Sequence, residues 1–238
     1  MNYQSVLNAN REYHDLHAKD YNEVTLKGNF TRVEQMFSQF KGKRFLDMGC
    51  GTGEQLKVAL KYFEMVYGVD CSPGMLEIAK TITPHVKQED IANTSFQSGY
   101  FDFINCFSVL HHLYEQEPVI QEAYRLLKEG GLFYSDNDPN RKFYEKFGWW
   151  LFIRRKLFKK KIAKELRELE QIAEYHQKDG LDPDEIIKKF TKAGFKRVLV
   201  QYHYPEKPDL FTKILTFLNS RFFKSRNFCY YFSVFAKK

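Results

Sequence analysis

Residues 45–53 read Phe-Leu-Asp-Met-Gly-Cys-Gly-Thr-Gly, a short apolar run that passes into a turn with glycine at every second position. The run predicts a buried strand, and the residues after the turn have a helical pattern. Glycines at 49, 51 and 53 permit a positive φ and let a ligand approach the backbone closely. The stretch therefore predicts a strand, a turn that faces a ligand, and a helix.

The spacing of this turn is G-x-G-x-G, which differs from the G-x-G-x-x-G of dinucleotide-binding proteins. A second acidic residue, Asp70, ends the next predicted strand 23 residues after Asp47. A carboxylate at that place can accept both hydroxyls of a ribose. The two elements together indicate a site for a ribose-containing ligand.

Apolar runs and helical patterns alternate along most of the chain, as in a parallel sheet flanked by helices. Strands are predicted at 44–48, 65–70, 86–89, 101–107, 131–136, 196–204 and 227–236, with helices at 54–62, 73–83, 118–128, 181–193 and 210–222. The pattern predicts a doubly wound α/β fold with a seven-stranded, mostly parallel sheet. Residues 140–180 interrupt it and are interpreted as a helical insertion after the fifth strand. Ligands of such sheets bind beyond the carboxyl ends of the strands.

The length of 238 residues and the 43% hydrophobic content favour one folded domain over the whole chain, residues 1–238. The sequence has no apolar run of ~20 residues and no secretion signal at its start, so a cytoplasmic protein is expected. The four cysteines are widely spaced. They predict neither a disulfide framework nor a zinc cluster, and no metal site is expected.

The sequence resembles the class I S-adenosylmethionine (SAM)-dependent methyltransferases, in their small-molecule and quinone-type branch, at residues 46–53, 66–79, 88–91, 101–113 and 126–131. The resemblance implies a Rossmann-like fold and SAM as the cofactor. It implies that Asp47 lies near the amino group of SAM, Asp70 near the ribose and Asp90 near the adenine amino group. The complete set of expected cofactor contacts is Asp47, Gly49, Cys50, Gly51, Gly53, Asp70, Cys71, Met75, Asp90, Ile91, Phe107, Ser108 and Tyr21.

Tyr21 belongs to a segment, residues 13–21, that resembles the lid preceding the domain in such enzymes. Residues 1–40 are accordingly expected to form lid helices. Tyr21 is the candidate for the aromatic ring that closes over the cofactor, and a Tyr that only packs is an equal alternative.

Methyl transfer to a hydroxyl needs in-line positioning, exclusion of water and a base. His111 and His112, just after the fourth strand, are the candidates for that base, and they could equally organise the loop. Asp136 and Asp138 follow the fifth strand and are expected to orient the acceptor or to turn the chain. Residues 107–110 lack the motif of enzymes that methylate the amino groups of nucleobases, which disfavours that activity.

The chain is electrically polarised: residues 1–140 carry 13 basic and 19 acidic side chains, and residues 141–238 carry 24 and 11. Residues 141–167 hold 11 basic and two acidic residues and both tryptophans, Trp149 and Trp150. Such a segment suits three roles: a cap that places its aromatic rings on the substrate, a surface for anionic membrane, or a site for single-stranded nucleic acid.

We therefore expect a methyltransferase for a small-molecule or lipid-linked acceptor, with peripheral contact to the anionic inner membrane surface favoured over nucleic acid. An RNA-modifying methyltransferase and a SAM-binding protein without catalysis are the alternatives. The sequence does not indicate an oligomeric state.

Overall fold

Seven strands form one sheet in the order β3-β2-β1-β4-β5-β7-β6. The computed structural model describes residues 2–19, 30–40, 42–157, 164–173, 176, 179–205 and 210–238. The strands are β1 (Arg44–Met48), β2 (Met65–Asp70), β3 (Val86–Gln88), β4 (Phe101–Phe107), β5 (Leu127–Pro139), β6 (Arg197–His203) and β7 (Tyr231–Lys237). Strand β7 pairs antiparallel with β5 and β6, and the pairs from β3 to β5 are parallel. The predicted seven-stranded, mostly parallel sheet is confirmed.

Helices flank the sheet within these residues. They are α1 (Tyr3–His17), α2 (Thr31–Gln39), α3 (Glu54–Ala59), α4 (Pro73–Ala79), α5 (Glu117–Leu126), α6 (Arg141–Leu157), α7 (Lys164–Ala173), α8 (Pro183–Ala193) and α9 (Leu210–Leu218). The start of α4 shows why the sequence predicted them: Ser72 accepts a hydrogen bond from Met75 N, and Pro73 stands in the first turn. Gly194 ends α8 with a φ of 109°. None of the described helices has the length and hydropathy needed to cross a membrane.

Two apolar clusters fill the two faces of the sheet. On one face, the ring of Phe37 packs edge-on against Phe45 and Phe103, with ring centroids 5.0 and 5.4 Å away. Burying each such side chain contributes about 1.5–3 kcal/mol. The strand order reverses between β1 and β4, so these clusters hold rigid the point where ligands of this fold bind.

The ends of several elements differ from the prediction: the helices that begin at Glu54, Pro73 and Leu210 are shorter than predicted, and two strands begin elsewhere. Strand β5 begins at Leu127, inside the predicted helix, because Leu127 pairs with Phe101 of β4. Strand β7 begins at Tyr231, because residues Arg226–Phe228 form a 3-10 turn that Ser225 caps.

The insertion between β5 and α8 is closed at its base. Arg141 N donates to Leu181 O over 2.9 Å, and Leu181 N donates to Pro139 O over 2.8 Å. The two ends of the insertion therefore lie side by side, and α6 and α7 lie between them in the chain. Its role as a cap stays a prediction.

Candidate functional site

The glycine-rich turn after β1 contains three glycines with positive φ in three different environments. A Cβ at Gly49 would lie 2.6 Å from Val109 Cγ2, and one at Gly53 would lie 2.7 Å from Ile82 Cδ1. A Cβ at Gly51 would meet no described atom within 4 Å. Packing therefore requires Gly49 and Gly53, whereas Gly51 faces open space where a ligand can reach the backbone.

A cleft of about 810 Å³, part of which opens to solvent, lies against this turn. The predicted cofactor residues that line it are Gly49, Gly51, Asp70, Cys71, Met75, Asp90, Ile91, Phe107 and Ser108. Asp47, Cys50 and Gly53 lie behind this lining, and Tyr21 falls outside the described residues. The topology thus brings together side chains from the ends of several strands, as the fold predicts.

Asp70 is held in a fixed orientation at the end of β2. Its Oδ2 accepts a hydrogen bond from Gly51 N over 2.8 Å, and its Oδ1 accepts one from Ser72 N over 2.9 Å. Each carboxylate oxygen can accept a second bond. The carboxylate can therefore bind the turn and a ligand hydroxyl together.

Asp90 is paired from two sides. Its Oδ1 accepts from Ala92 N over 2.9 Å, and its Oδ2 accepts from the hydroxyl of Tyr3 over 2.6 Å. Burial and the neighbouring Asp90 raise the pKa of Tyr3, so the hydroxyl stays protonated and donates. Asp90 is thus a fixed acceptor at the edge of the cleft.

Asp47 is buried behind the glycine-rich turn. Its Oδ1 accepts from Asn105 Nδ2 over 2.7 Å, and its Oδ2 has no hydrogen-bond partner among the described residues. Burial raises the pKa of Asp47 to about 8, against the opposing effect of the Asn105 bond. A buried carboxyl oxygen without a partner calls for one, and an ammonium group bound beside it would favour the ionised, accepting form of Asp47.

Helix α1 forms the outer wall of the cleft, which the sequence did not predict in detail. Its contributing side chains are Tyr3, Val6, Leu7, Asn10 and His14. Asp15 Oδ1 anchors the helix, because it accepts from Ser72 Oγ over 2.5 Å and from Gly74 N over 2.9 Å. Asn10 Nδ2 donates to His112 O over 3.2 Å.

His112 lines the cleft, and its hydrogen bond defines its tautomer. Nδ1 lies 3.1 Å from Ala173 O, and since a carbonyl only accepts, Nδ1 carries the proton and Nε2 is free to accept one. Burial lowers the pKa of His112 to about 3, with His111 adding to the effect. Burial and His112 likewise lower the pKa of His14 to about 4. These rings are neutral at pH 7.

A second cavity, of about 580 Å³ with the part that opens to solvent included, lies next to the cleft. Its lining residues are Ser108, His111, Asn137, Pro139, Tyr144, Tyr230 and Tyr231. Ser108 lines both spaces. The rings of His111 and His112, one in each space, have centroids 4.1 Å apart. The two spaces therefore meet at the carboxyl end of β4.

Backbone strain marks the same place. Ser108 and Asn137 have φ values of 58° and 66°, which are rare for residues with a side chain. Asn137 Nδ2 donates to Ser108 Oγ over 3.2 Å. Strain of this kind persists where surrounding structure enforces it and is common at functional sites.

Asp136 and Asp138 are fully buried and line neither space. Because side chains alternate along a strand, Asn137 and Pro139 are the residues of β5 that face the second cavity. Asp136 and Asp138, which the sequence predicted to orient the acceptor, therefore do not face this cavity. Burial raises the pKa of Asp138 and lowers that of His111 to about 3, so this hydrogen-bonded pair is uncharged.

Asp136 instead joins β5 to its neighbours. It accepts from Tyr134 Oη over 2.7 Å and from Ser233 Oγ over 2.8 Å. Burial alone would raise the pKa of Asp136, but His203 and Arg32 outweigh it and bring the pKa to about 2. The carboxylate is a structural anion between two strands.

Trp149 and Trp150 also line neither space. The ring of Trp150 stacks on Phe211 of α9, with centroids 4.2 Å apart, and Trp149 is 61% exposed. The structure therefore does not bring the tryptophans to the predicted substrate site. The side chains of 151–167 lie outside what the structure describes.

Comparison with known proteins identifies the domain. Residues 46–135 match the family model described as a methyltransferase domain. The chain is 32% identical over 123 residues to a ubiquinone biosynthesis O-methyltransferase of Coxiella burnetii, covering 47% of this chain and 50% of that one. A protein of the same description from Acinetobacter baylyi is 29% identical over 124 residues, 47% and 51% of the two chains. The chain spans about half the length of these curated relatives.

Solved structures show that the methyltransferase fold extends over nearly the whole chain. A SAM-dependent methyltransferase from Thermotoga maritima superposes with a TM-score of 0.61 at 18% identity, covering 95% of this chain and 99% of that one. A phosphoethanolamine N-methyltransferase from Haemonchus contortus, in complex with S-adenosylhomocysteine, gives 0.61 at 18% identity and covers 96% and 60%. Residues 46–135 thus match a methyltransferase domain, and the fold is that of SAM-dependent methyltransferases, as the resemblance predicted.

Proposed function

We propose that the protein is a methyltransferase that binds SAM in the cleft and a small-molecule or lipid-linked acceptor in the second cavity. The observation that carries this proposal is the exposure of the Gly51 backbone to the cleft, with Asp70 bonded to its N–H. The proposal uses the cofactor expected of the methyltransferase domain.

The residues around the cleft fit SAM chemically. Asp47 Oδ2 is buried without a described partner, and the ammonium of the methionine part would favour the ionised carboxylate there. Asp70 is oriented to accept ribose hydroxyls, and Asp90 to accept from the adenine amino group. Met75 and Ile91 supply apolar walls for the adenine ring.

SAM supplies an electrophilic methyl on a sulfonium, so the protein has to position the acceptor, exclude water and accept a proton where one is released. Ser108, shared by the two spaces, marks the place where the acceptor meets the methyl group. Helix α1 covers the cleft on its outer side and limits access of water.

The low pKa of His112 restricts the acceptor. A neutral ring with a pKa of about 3 is a weak base at pH 7. It can assist an acidic hydroxyl, such as a phenol or enol, or an amine that is already neutral, far better than an aliphatic alcohol. The relatives named O-methyltransferases agree with a hydroxyl acceptor.

The second cavity has the polar lining that such an acceptor requires. The hydroxyls of Tyr144 and Tyr230 are hydrogen-bonded over 3.1 Å, and Asn137 adds an amide. A ring hydroxyl or amine can replace one of these internal bonds, while the aromatic rings pack against its apolar part.

The test is to incubate the purified protein with methyl-labelled SAM and separate lipid, small-molecule and RNA extracts. We expect label in the lipid or small-molecule fraction. Label in the RNA fraction would show that the acceptor is RNA. SAM binding without any transfer would show that the protein binds SAM without catalysis.

A further inference from the structure

Helix α9 and the turn after it present an apolar face to solvent. Leu210, Ile214, Phe217, Phe222 and Phe223 are each between 50% and 74% exposed. The first three lie at spacings of four and three residues, so they fall within ~60° of one side of the helix. We call these five side chains the α9 face. An exposed apolar patch of this kind usually marks an interaction site.

The opposite side of α9 holds the helix on the protein. Thr212, Leu215 and Asn219 are buried there. Asn219 accepts from Ser225 N over 2.7 Å and donates to Tyr204 Oη over 2.7 Å, which fixes the end of the helix. One side of the helix therefore packs on the protein, and the apolar side with Leu210, Ile214 and Phe217 is left exposed.

Two apolar residues at the start of the insertion are buried and do not contribute to an exposed apolar surface. Phe143 and Phe147 of α6 are buried, and the ring of Phe147 packs against Phe228 with centroids 5.3 Å apart. Trp149 is exposed beside Phe211 of α9, at 6.3 Å between centroids, and so extends the α9 face. The α9 face is thus a second candidate membrane surface, and the prediction for the insertion stays a prediction, because the side chains of 151–167 lie outside what the structure describes.

The segment that carries the α9 face, residues 210–238, has charged side chains of one sign. Residues 210–238 contain six basic residues and no Asp or Glu. Lys213, Arg221 and Lys224 are exposed within or beside the face. A second copy docked on the same face would bring these like charges together, whereas anionic lipid headgroups complement them.

We propose that the α9 face docks the protein on an anionic lipid bilayer, with Phe217, Phe222 and Phe223 entering the interface and the basic residues on the headgroups. Each engaged basic residue strengthens such binding about fivefold. Leu215, on the buried side of α9, packs in the same cluster as Tyr144 of the second cavity. Docking would therefore hold the acceptor cavity one helix away from the lipid. The geometry of the face is independent of the methyltransferase assignment.

The experiment is sedimentation of the full chain with vesicles of phosphatidylcholine alone and with about 30% phosphatidylglycerol. We expect at least tenfold tighter binding to the anionic vesicles, and weaker binding as salt rises. The double variant Phe217→Ser/Phe222→Ser should bind the anionic vesicles at least tenfold more weakly than the wild type. The matched control is Leu199→Ser, because Leu199 of β6 is 64% exposed and does not belong to the α9 face, and this variant should bind like the wild type.

A charge pair of variants completes the test. Arg221→Glu/Lys224→Glu should weaken anionic vesicle binding at least tenfold, and Lys188→Glu, on the exposed side of α8, should not. Wild-type protein that ignores anionic vesicles, or a double Phe variant that still binds them, overturns the proposal. If sedimentation equilibrium shows that the wild type is a dimer and the double Phe variant a monomer, the α9 face is a subunit interface and the proposal is wrong. Titration of the same samples with SAM shows separately whether the proposed function stands.

Discussion

The hydroxyl of Tyr3, in the first turn of α1, donates a hydrogen bond of 2.6 Å to Asp90 Oδ2, 87 residues later in the chain. This bond ties the N-terminal helix to the end of the cleft where an adenine amino group is expected. Since a carboxylate oxygen can accept two bonds, Tyr3 can orient Asp90 and leave a position for the ligand.

Asp90→Ala should therefore weaken SAM binding by ~1–3 kcal/mol, because the amino group would lose its acceptor in a largely closed site. Tyr3→Phe should weaken it less, by ~0.5–1.5 kcal/mol, because only the orienting bond is lost. Calorimetric titration measures both, and urea unfolding shows that the variants are folded. Equal SAM affinity of Asp90→Ala and wild type would refute the adenine assignment.

Asp47→Asn should stabilise the protein at neutral pH. The pKa of Asp47 is raised to about 8 in the folded state, above its unfolded value of ~3.9, so its stabilising protonation is complete below about pH 4 and is lost as pH rises toward 8. The asparagine does not titrate. Its advantage in free energy of unfolding should grow from near zero at pH 4 to ~2–4 kcal/mol at pH 7.

Urea unfolding of both proteins at several pH values measures this difference. A difference that does not change with pH would show that Asp47 is ionised in the folded protein. The variant should bind SAM more weakly even though it is more stable, because an amide cannot pair with an ammonium as a carboxylate does.

The activity should show no acidic limb from His112 between pH 6 and 8, because its pKa of about 3 keeps the ring neutral throughout. His112→Asn should lower kcat while leaving the shape of the pH profile unchanged in that range. A limb near pH 6.5 that disappears in the variant would contradict the burial of this ring.

Tyr230→Phe should raise the KM for the acceptor several-fold and leave the Kd for SAM unchanged, since the Tyr144–Tyr230 hydroxyl pair lies in the second cavity. The control is Tyr100→Phe. The Tyr67–Tyr100 hydroxyl pair has a similar separation of 3.0 Å and lines neither space. Equal changes in acceptor KM for the two variants would show that the acceptor does not bind in this cavity.

Local sequence patterns were sufficient to predict the strands of the sheet and the glycine-rich turn. Strands β1, β2 and β4 have the predicted bounds because buried apolar runs and their flanking turn residues are short-range signals. The glycines at 49, 51 and 53 identified the ligand-facing turn for the same reason. The separate role of Gly51 needed the coordinates, because only packing partners distinguish it from Gly49 and Gly53.

Contacts between distant residues could not be predicted. Asp15 reaches Ser72 across 57 residues and Asn10 reaches His112 across 102, and periodicity carries no information about such pairs. Asn137 was missed because the acidic residues beside it looked more reactive, while the alternation of β5 turned them inward. The α9 face was missed because helix periodicity shows an apolar side without showing whether another element covers it.

The most direct test of the SAM site compares Gly51→Ala with Gly99→Ala. Both glycines have positive φ, 51° and 64°, and a Cβ at either meets no described atom within 4 Å, so each variant should lose about 1–2 kcal/mol of stability through backbone strain. Of these two glycines, Gly51 lines the cleft and Gly99 does not. Calorimetric titration with SAM should show binding by wild type and Gly99→Ala and at least tenfold weaker binding by Gly51→Ala. Wild-type protein that does not bind SAM, or that binds NAD in its place, would contradict the account.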